Sequence, residues 1–271
     1  MRAALAGLAV AGCLALAACG GGGKAPAPGL PAVAVPITAD PDGKVRGTMV
    51  MVHAGGWAGH DARAQELLMR SPGTLLRNHG WRVVSIDYEA GTEGLRDVLD
   101  TISSEIARKT SNGPLCLYGE SSGAHLALVA AAQRGEEIDC VIGLGTPTDL
   151  PLYEATAGDG SRNQRIVDHQ VRKHFGTSAT ELAPWDPVSL APSIKADVLL
   201  LREGDDDSVL ADQTAAFVAA HPATQTLTLD AGDPADESTH FVHGTISAKG
   251  RAAYNDAIAS FAARARRRDA R

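Results

Sequence analysis

The chain has 271 residues, a length that suits a single α/β domain. Hydrophobic residues make up 44% and charged residues 21%, an ordinary composition for a globular protein with an apolar core. The formal net charge of -7 at pH 7 argues against nucleic acid as the main partner.

Residues 1–18 predict a signal peptide that is not part of the fold. Arg2 supplies a minimal positive region, and the apolar run over residues 3–18 is too short to span a membrane comfortably. The run ends in Leu-Ala-Ala-Cys at residues 16–19, which resembles the lipobox of bacterial lipoproteins. That resemblance implies an exported protein, anchored to a bacterial membrane through lipid on Cys19. A plain secretory signal is the alternative, because Ala-x-Ala-like cleavage sites also lie here.

The cysteines fall into two groups. Cys13 would leave with the signal peptide, and Cys19 would carry the lipid. Cys116 and Cys140 both fall in predicted strands. They could pack as buried free thiols. If their strands are neighbours, they could instead form a disulfide, which an exported protein can keep.

A Gly- and Pro-rich segment at residues 19–31 predicts a flexible linker, and residues 32–265 predict one α/β domain. The predicted strands are 32–38, 45–52, 81–88, 115–118, 138–144, 198–201 and 224–229, and the predicted helices are 62–79, 95–109, 124–132 and one from about 246. This alternation predicts a mostly parallel sheet of about seven strands with helices on both faces. Residues 147–194 break the rhythm with polar residues and prolines, and they predict a short cap insertion that shapes a substrate pocket.

Residues 119–123, Gly-Glu-Ser-Ser-Gly, lie between an apolar strand and an apolar helix. Gly-x-Ser-x-Gly at such a junction is typical of a nucleophile elbow, a strained turn that presents the serine at the top of a sheet. Gly119 and Gly123 leave room for the tight crossover. A chance match is easy in a chain with 29 glycines, but it would not usually sit between a strand and a helix. Ser121 is therefore the predicted nucleophile.

Gly55 and Gly56 follow the second predicted strand in the sequence His-Ala-Gly-Gly-Trp. Glycines just past a strand let backbone N–H groups point at a developing negative charge. Together with the N–H of Ser122, they are the predicted donors of an oxyanion hole. An ordinary turn is the alternative, although His53 before the glycines and Trp57 after them favour the oxyanion hole.

Two later strands end in polar loops that could supply an acid and a base. After residues 198–201 come three consecutive aspartates, which are usually just a solvated loop. Asp207 precedes an apolar pair and is the predicted acid, with Asp205 as the substitute. After the last strand, His240 or His243 could reach the nucleophile, and His240 is preferred because an aromatic residue follows it. The order Ser, Asp, His along the chain is that of the α/β-hydrolase fold.

The sequence favours structural roles for the other histidines. His53 is expected to support the oxyanion loop, and His125 to pack or hydrogen-bond on the helix after the elbow. The rest show no ligand spacing with Cys, Asp or Glu: His60, His79, His169, His174 and His221. No metal and no other cofactor is predicted.

Together these motifs resemble the α/β-hydrolase superfamily, in the esterase/lipase-like group of acetyl-xylan and feruloyl esterases and prolyl oligopeptidase catalytic domains. The resemblance covers residues 49–261 and rests on the motifs at residues 53–57, 85–88, 119–123, 147–150 and 204–207. Two features depart from the family. Ala54 stands where a glycine is usual, and one strand precedes residue 45 where the family often has two.

The resemblance implies a serine hydrolase that cleaves a small-molecule carboxylic ester through an acyl-enzyme. Ser121 would attack, His240 would take its proton, and Asp207 would orient the imidazole. A serine peptidase of the oligopeptidase type is an alternative, disfavoured because those enzymes carry a large gating domain. A non-catalytic surface binding protein on a hydrolase scaffold is another, since fold does not determine function. The sequence does not say which ester is cleaved.

Overall fold

The computed structural model describes residues 36–108, 113–155, 160–239 and 241–265. Its strands are β1 (Ile37–Ala39), β2 (Gly47–Val52), β3 (Trp81–Ile86), β4 (Leu115–Glu120), β5 (Cys140–Leu144), β6 (Asp197–Glu203) and β7 (Gln225–Leu229). They form one sheet in the order β1-β3-β2-β4-β5-β6-β7. Neighbouring strands are parallel except β1, which pairs antiparallel with β3. The predicted fold class, a mostly parallel sheet of about seven strands, is confirmed.

Helices cover both faces of this sheet. They are α1 (Ala62–Arg70), α2 (Pro72–Asn78), α3 (Glu93–Arg108), α4 (Ser122–Arg134), α5 (Leu150–Ala155), α6 (Arg162–Phe175), α7 (Ala179–Leu182), α8 (Pro187–Leu190), α9 (Ala211–Ala220) and α10 (Ala248–Arg264). Side chains alternate between the faces along a strand. Val50 and Val52 of β2 therefore belong to an apolar cluster with α3 and α4, and Met49 and Met51 to one with α1, α2 and α10.

The predicted helix over residues 62–79 is two helices in the structure. Helix α1 ends before Ser71, and Pro72 begins α2 at its first position. Proline lacks the N–H that a helix interior needs, but it fits the first turn, where that N–H has no partner. The apolar spacing continues across the break, which is why the pattern alone did not reveal it.

The segment over residues 147–194 contains α5, α6, α7 and α8. Helix α6 lies against the loops that follow β2 and β3: a Cβ on Gly56 would be 3.6 Å from Gln170 Cγ, and one on Gly91 would be 2.6 Å from His174 Nδ1. These loops leave the carboxyl ends of their strands. Helix α6 of the insertion therefore lies next to the carboxyl ends of β2 and β3.

Cys116 and Cys140 lie opposite each other on the neighbouring strands β4 and β5. They are joined by a disulfide, with their Cα atoms 4.6 Å apart. Of the two alternatives that the sequence left open, the structure has the bonded one.

The predicted signal peptide, Cys19 and the linker at residues 19–31 lie outside the described residues. Lipid anchoring and export remain predictions from the sequence. Among the helices that the structure describes, none has the length and apolarity needed to cross a bilayer.

Candidate active site

Ser121 occupies the sharp turn between β4 and α4. Its φ of 50° and ψ of -121° lie in a region that non-glycine residues rarely adopt. A Cβ on Gly119 would be 2.5 Å from Ala124 Cα, and one on Gly123 would collide with the carbonyl oxygen of Val52. Both glycines are therefore required by close backbone approach, and the local structure is a nucleophile elbow.

The loop after β2 also has unusual backbone angles. The φ values are 144° at Gly55, 61° at Gly56 and 57° at Trp57. The two glycines adopt this conformation without a steric penalty, whereas Trp57 must be held there by its surroundings. Gly55 is exposed and Gly56 is half-buried, so part of this backbone is accessible to solvent.

A hydrogen-bond bridge connects this loop to the predicted third donor, Ser122. The Tyr88 hydroxyl donates to the carbonyl oxygen of His53 at 3.1 Å and lies 3.2 Å from Ser122 Oγ. The ring of His53 stacks on Tyr88 with centroids 4.4 Å apart. His53 therefore supports the start of the loop, as expected from the sequence.

Trp57 is held by the helix that follows the nucleophile. Its Nε1–H donates to His125 Nδ1 at 3.1 Å, and His125 Nε2 lies 2.7 Å from the carbonyl oxygen of Trp185. Burial lowers the pKa of His125 to about 4. The imidazole therefore stays neutral at physiological pH, with Nδ1 as acceptor. The ring of Phe175, at the end of α6, packs edge-on against Trp57 with centroids 5.3 Å apart.

On the other side of the elbow, His243 pairs with Asp206. His243 Nδ1 lies 3.1 Å from Asp206 Oδ2. The other oxygen, Asp206 Oδ1, accepts the N–H groups of Ser208 and Val209, each at 2.8 Å. These bonds fix the carboxylate, which in turn fixes the tautomer of His243 with Nε2 as the free acceptor.

The imidazole of His243 lies close to the elbow. A Cβ on Gly145 would be 2.7 Å from His243 Nδ1. Gly145 follows Leu144, whose carbonyl oxygen accepts the N–H of Ser121 at 2.8 Å. Among the described residues, no hydrogen bond joins Ser121 Oγ to His243 Nε2. Catalytic hydrogen bonds are often long in a free enzyme and tighten in its complexes.

The predicted acid and base need revision on this geometry. Asp207 points away from His243, because its Oδ1 accepts from Asn163 Nδ2 at 2.9 Å. The substitute, Asp205, accepts from the Thr245 hydroxyl at 2.7 Å. Asp206 therefore replaces Asp207 as the candidate acid. His240, the preferred base, lies outside the described residues, and the alternative His243 is the histidine that pairs with Asp206.

Sequence reasoning missed Glu203, the last residue of β6. Its Oε1 accepts the N–H groups of Val242 at 3.1 Å and His243 at 3.0 Å. The available signal was a charged residue that closely follows the apolar run at residues 198–201 and is separated from it only by Arg202. Burial favours neutral imidazole, but the hydrogen bond to Asp206 and the charges of Asp206, Glu203 and Glu120 raise the pKa of His243 above its ordinary value.

Glu203, Asp206 and His243 each offer a ligand atom within 4.8 Å of the others. However, Asp206 and His243 are hydrogen-bonded to each other, and Glu203 accepts two backbone N–H groups. The arrangement therefore fits a hydrogen-bond network around the imidazole better than a cation site.

The model of the BD-FAE family, the bifunctional acetyl xylan/feruloyl esterases, matches residues 37–220 of this chain. That range contains the elbow, the loop after β2 and Asp206, and it ends before His243. A comparison with curated proteins found no match.

Solved structures share the fold. A bifunctional GH43-CE protein from Bacteroides eggerthii has a TM-score of 0.65 at 16% identity, over 83% of this chain and 35% of that one. The acylaminoacyl peptidase of Pyrococcus horikoshii has a TM-score of 0.65 at 14% identity, over 87% of this chain and 40% of that one. The acetyl ester-xyloside bifunctional hydrolase of Caldicellulosiruptor lactoaceticus has a TM-score of 0.60 at 15% identity, over 77% of this chain and 82% of that one. The chain thus spans well under half of the first two. At these identities the likeness shows the α/β-hydrolase fold.

Proposed function

The chain belongs to the BD-FAE family of esterases, and on that premise we propose that it is a serine carboxylesterase with Ser121 as nucleophile, His243 as base and Asp206 as acid. The observation that carries the proposal is the 3.1 Å hydrogen bond between His243 and Asp206, next to a serine held in a strained elbow. A serine hydroxyl is a weak nucleophile, and it needs such a base, oriented by a third group.

In the proposed reaction, Ser121 Oγ attacks the ester carbonyl while His243 Nε2 takes its proton. Asp206 keeps the Nδ1–H of His243 in place and stabilises the imidazolium that forms. The backbone N–H groups of Gly55, Gly56 and Ser122 are the candidate donors to the oxyanion, each worth about 3 kcal/mol of the barrier. The imidazolium then protonates the leaving alcohol, and water releases the acid with His243 again as the base.

We propose acetyl or feruloyl esters of carbohydrates as the substrate class, because the family is named for those activities. The likeness to an acylaminoacyl peptidase keeps amide cleavage as a second candidate, since the same three groups can attack an amide. The two candidates differ in leaving group, so matched substrates separate them.

Purified protein should hydrolyse p-nitrophenyl acetate or methyl ferulate faster than a peptide p-nitroanilide. We expect Ser121→Ala to reduce kcat by about 10,000-fold or more, because the nucleophile is lost. His243→Ala should lose activity to a similar extent, whereas the matched variant His240→Ala should retain it. Circular dichroism would check that each variant is folded.

If the parent and Ser121→Ala are both folded and neither hydrolyses any of these esters, the esterase proposal is overturned. Faster cleavage of the anilide would replace it with the peptidase. Loss of activity in His240→Ala with a fully active His243→Ala would reassign the base.

A further inference from the structure

Glu203 lies at the carboxyl end of β6 and is completely buried. Its Oε1 accepts two successive backbone N–H groups, from Val242 and from His243. Hydrogen bonds to an ionised carboxylate are roughly twice as strong as those between neutral groups. The main chain at His243 is therefore attached directly to the strand that also leads to Asp206.

The base is thus held at two places. Asp206 Oδ2 binds the imidazole ring at Nδ1, and Glu203 Oε1 binds the backbone of the same residue. Both carboxylates come from one short stretch of chain at the end of β6. With the ring and the backbone both held, the direction of Nε2 depends on Glu203 as well as on Asp206.

The second oxygen of Glu203 gives another indication of a role beyond packing. Within the described part of the chain, Oε2 is buried without a hydrogen-bond partner. A buried unsatisfied polar atom costs about 1–3 kcal/mol, and more when it is charged. An apolar side chain at the end of β6 would avoid that cost. A buried carboxylate beside a histidine is typical of a functional site.

Other titratable groups surround this pair. Glu120, at the end of β4, accepts from the Tyr118 hydroxyl at 2.7 Å. Burial raises the pKa of Glu120 to about 7 and raises the pKa of Glu203. From α10, Tyr254 contacts Tyr118 at 2.7 Å between hydroxyls. Burial raises the pKa of both tyrosines well above 10.0, so they stay neutral over the working range.

One cation also lies near this group. The guanidinium of Arg251, on α10, lies 5.5 Å from the ring centroid of Phe241 in the same loop as His243. Of the charged groups that act on the imidazole, however, Asp206, Glu203 and Glu120 all raise its pKa. The local field at His243 is therefore negative.

We propose that Glu203 is a positioning residue for the base: it fixes the backbone of His243 and places a negative charge beside the imidazolium formed during acyl transfer. This inference rests on the proposed function, in which His243 is the base. The proposed role of Glu203 has two parts, which can be removed separately. Removal of the acceptor should misorient His243, and removal of the charge alone should lower the pKa of His243.

Two variants separate these effects in the full-length protein. Glu203→Leu removes both the acceptor and the charge, and we expect a fall in kcat of about 10- to 100-fold with little change in KM, as for a misplaced catalytic group. Glu203→Gln keeps an oxygen acceptor, so most of kcat should return. Without the charge, neutral His243 persists to lower pH, and the acidic limb of the kcat/KM profile for p-nitrophenyl acetate should shift to lower pH.

Glu105→Gln is the matched control, because Glu105 is also a buried carboxylate, paired with Arg82 at 2.9 Å in a distant part of the fold. It should lower stability without moving the pH profile. An NMR titration of the His243 imidazole, in the parent and in Glu203→Gln, measures the charge effect without turnover and does not need Glu203→Leu to fold.

Two results would overturn the inference while leaving the esterase proposal intact: a folded Glu203→Leu with parental kcat, or a Glu203→Gln that neither restores kcat nor lowers the pKa of His243. The second result would indicate a merely structural residue. An inert parent would instead contradict the proposed function, and with it the role given to Glu203.

Discussion

The two sides of Ser121 are held by opposite kinds of chemistry. On the side of the proposed oxyanion hole, Trp57 is held by neutral groups: its N–H donates to neutral His125, and its ring packs on Phe175. On the side of the proposed base, His243 is held by the carboxylates of Asp206 and Glu203. Neutral partners therefore surround the loop of the proposed oxyanion donors, and charged partners surround the proposed base.

One histidine on each side, His125 and His243, makes the difference measurable. Burial without a charged partner lowers the pKa of His125 to about 4, whereas carboxylate partners raise the pKa of His243. Oxyanion donors must hold their geometry at every pH, while a base must gain and lose a proton in each cycle. The charge of the partner therefore sets the direction in which the pKa of each of these histidines shifts.

The largest effect should come from removing the charge that orients the base. We expect Asp206→Asn to lower kcat by about 10,000-fold, because an amide can favour the wrong tautomer of His243. The neighbouring variant Asp207→Asn is the matched control, and steady-state kinetics should give nearly parental values for it. If Asp207→Asn were instead the more damaging change, Asp206 would not be the acid.

A smaller effect should come from the oxyanion side. Trp57→Phe removes the donor to His125 Nδ1, and we expect a stability loss of about 1–3 kcal/mol by urea unfolding, because a buried acceptor is left unpaired. It should also lower kcat, since a loop with unusual backbone angles loses its anchor. The acidic limb of the pH profile should not move.

Trp81→Phe provides the control for this change. Trp81 is also fully buried, but its Nε1 has no partner in the part of the chain that the structure describes. The substitution therefore breaks no hydrogen bond and should cost less stability and no activity. A shifted pH profile in Trp57→Phe would remove the distinction between the two sides of the nucleophile.

The smallest effect should come from His60, at the outer end of the oxyanion loop. Hydrogen bonds to Asp87 and Glu89 raise its pKa. Its stabilising contribution is therefore complete below the ordinary value of about 6.5 and is lost as the pH rises through the folded-state pKa. We expect His60→Gln to lose under about 1 kcal/mol at acidic pH and nothing at alkaline pH, because the group is partly exposed.

Thermal unfolding at an acidic and an alkaline pH measures this difference. His79→Gln, at an exposed histidine after α2, serves as the control. A loss of stability in His60→Gln that is equal at both pH values would show that the contact does not depend on the charge of the imidazole.

The fold could be predicted from the sequence wherever local pattern and tertiary structure agree. Apolar runs separated by amphipathic stretches identified the strands, and Gly-x-Ser-x-Gly identified the elbow because backbone crowding demands both glycines. The break at Ser71 was missed because the apolar spacing runs through Pro72. Helix α9 was also not predicted.

The sequence could not distinguish the candidate acids, because Asp205, Asp206 and Asp207 are chemically identical neighbours. Their roles differ only through the turn, in which Asp206 Oδ1 accepts the N–H groups of the second and third residues after it. Glu203 was missed for a related reason. Its partners are backbone N–H groups 39 and 40 residues away in sequence, and no side-chain motif records such a contact.

The disulfide closes a ring of chain that contains Ser121 and all of α4, with 24 residues of separation between its cysteines. In an oxidising medium this ring persists in the unfolded protein, so the strands on either side of the nucleophile stay linked after everything else has come apart. Restricting a loop of this order destabilises the denatured ensemble by about 3 kcal/mol in the chain-entropy account. The strained turn at Ser121 therefore belongs to a segment whose unfolded conformations are already restricted.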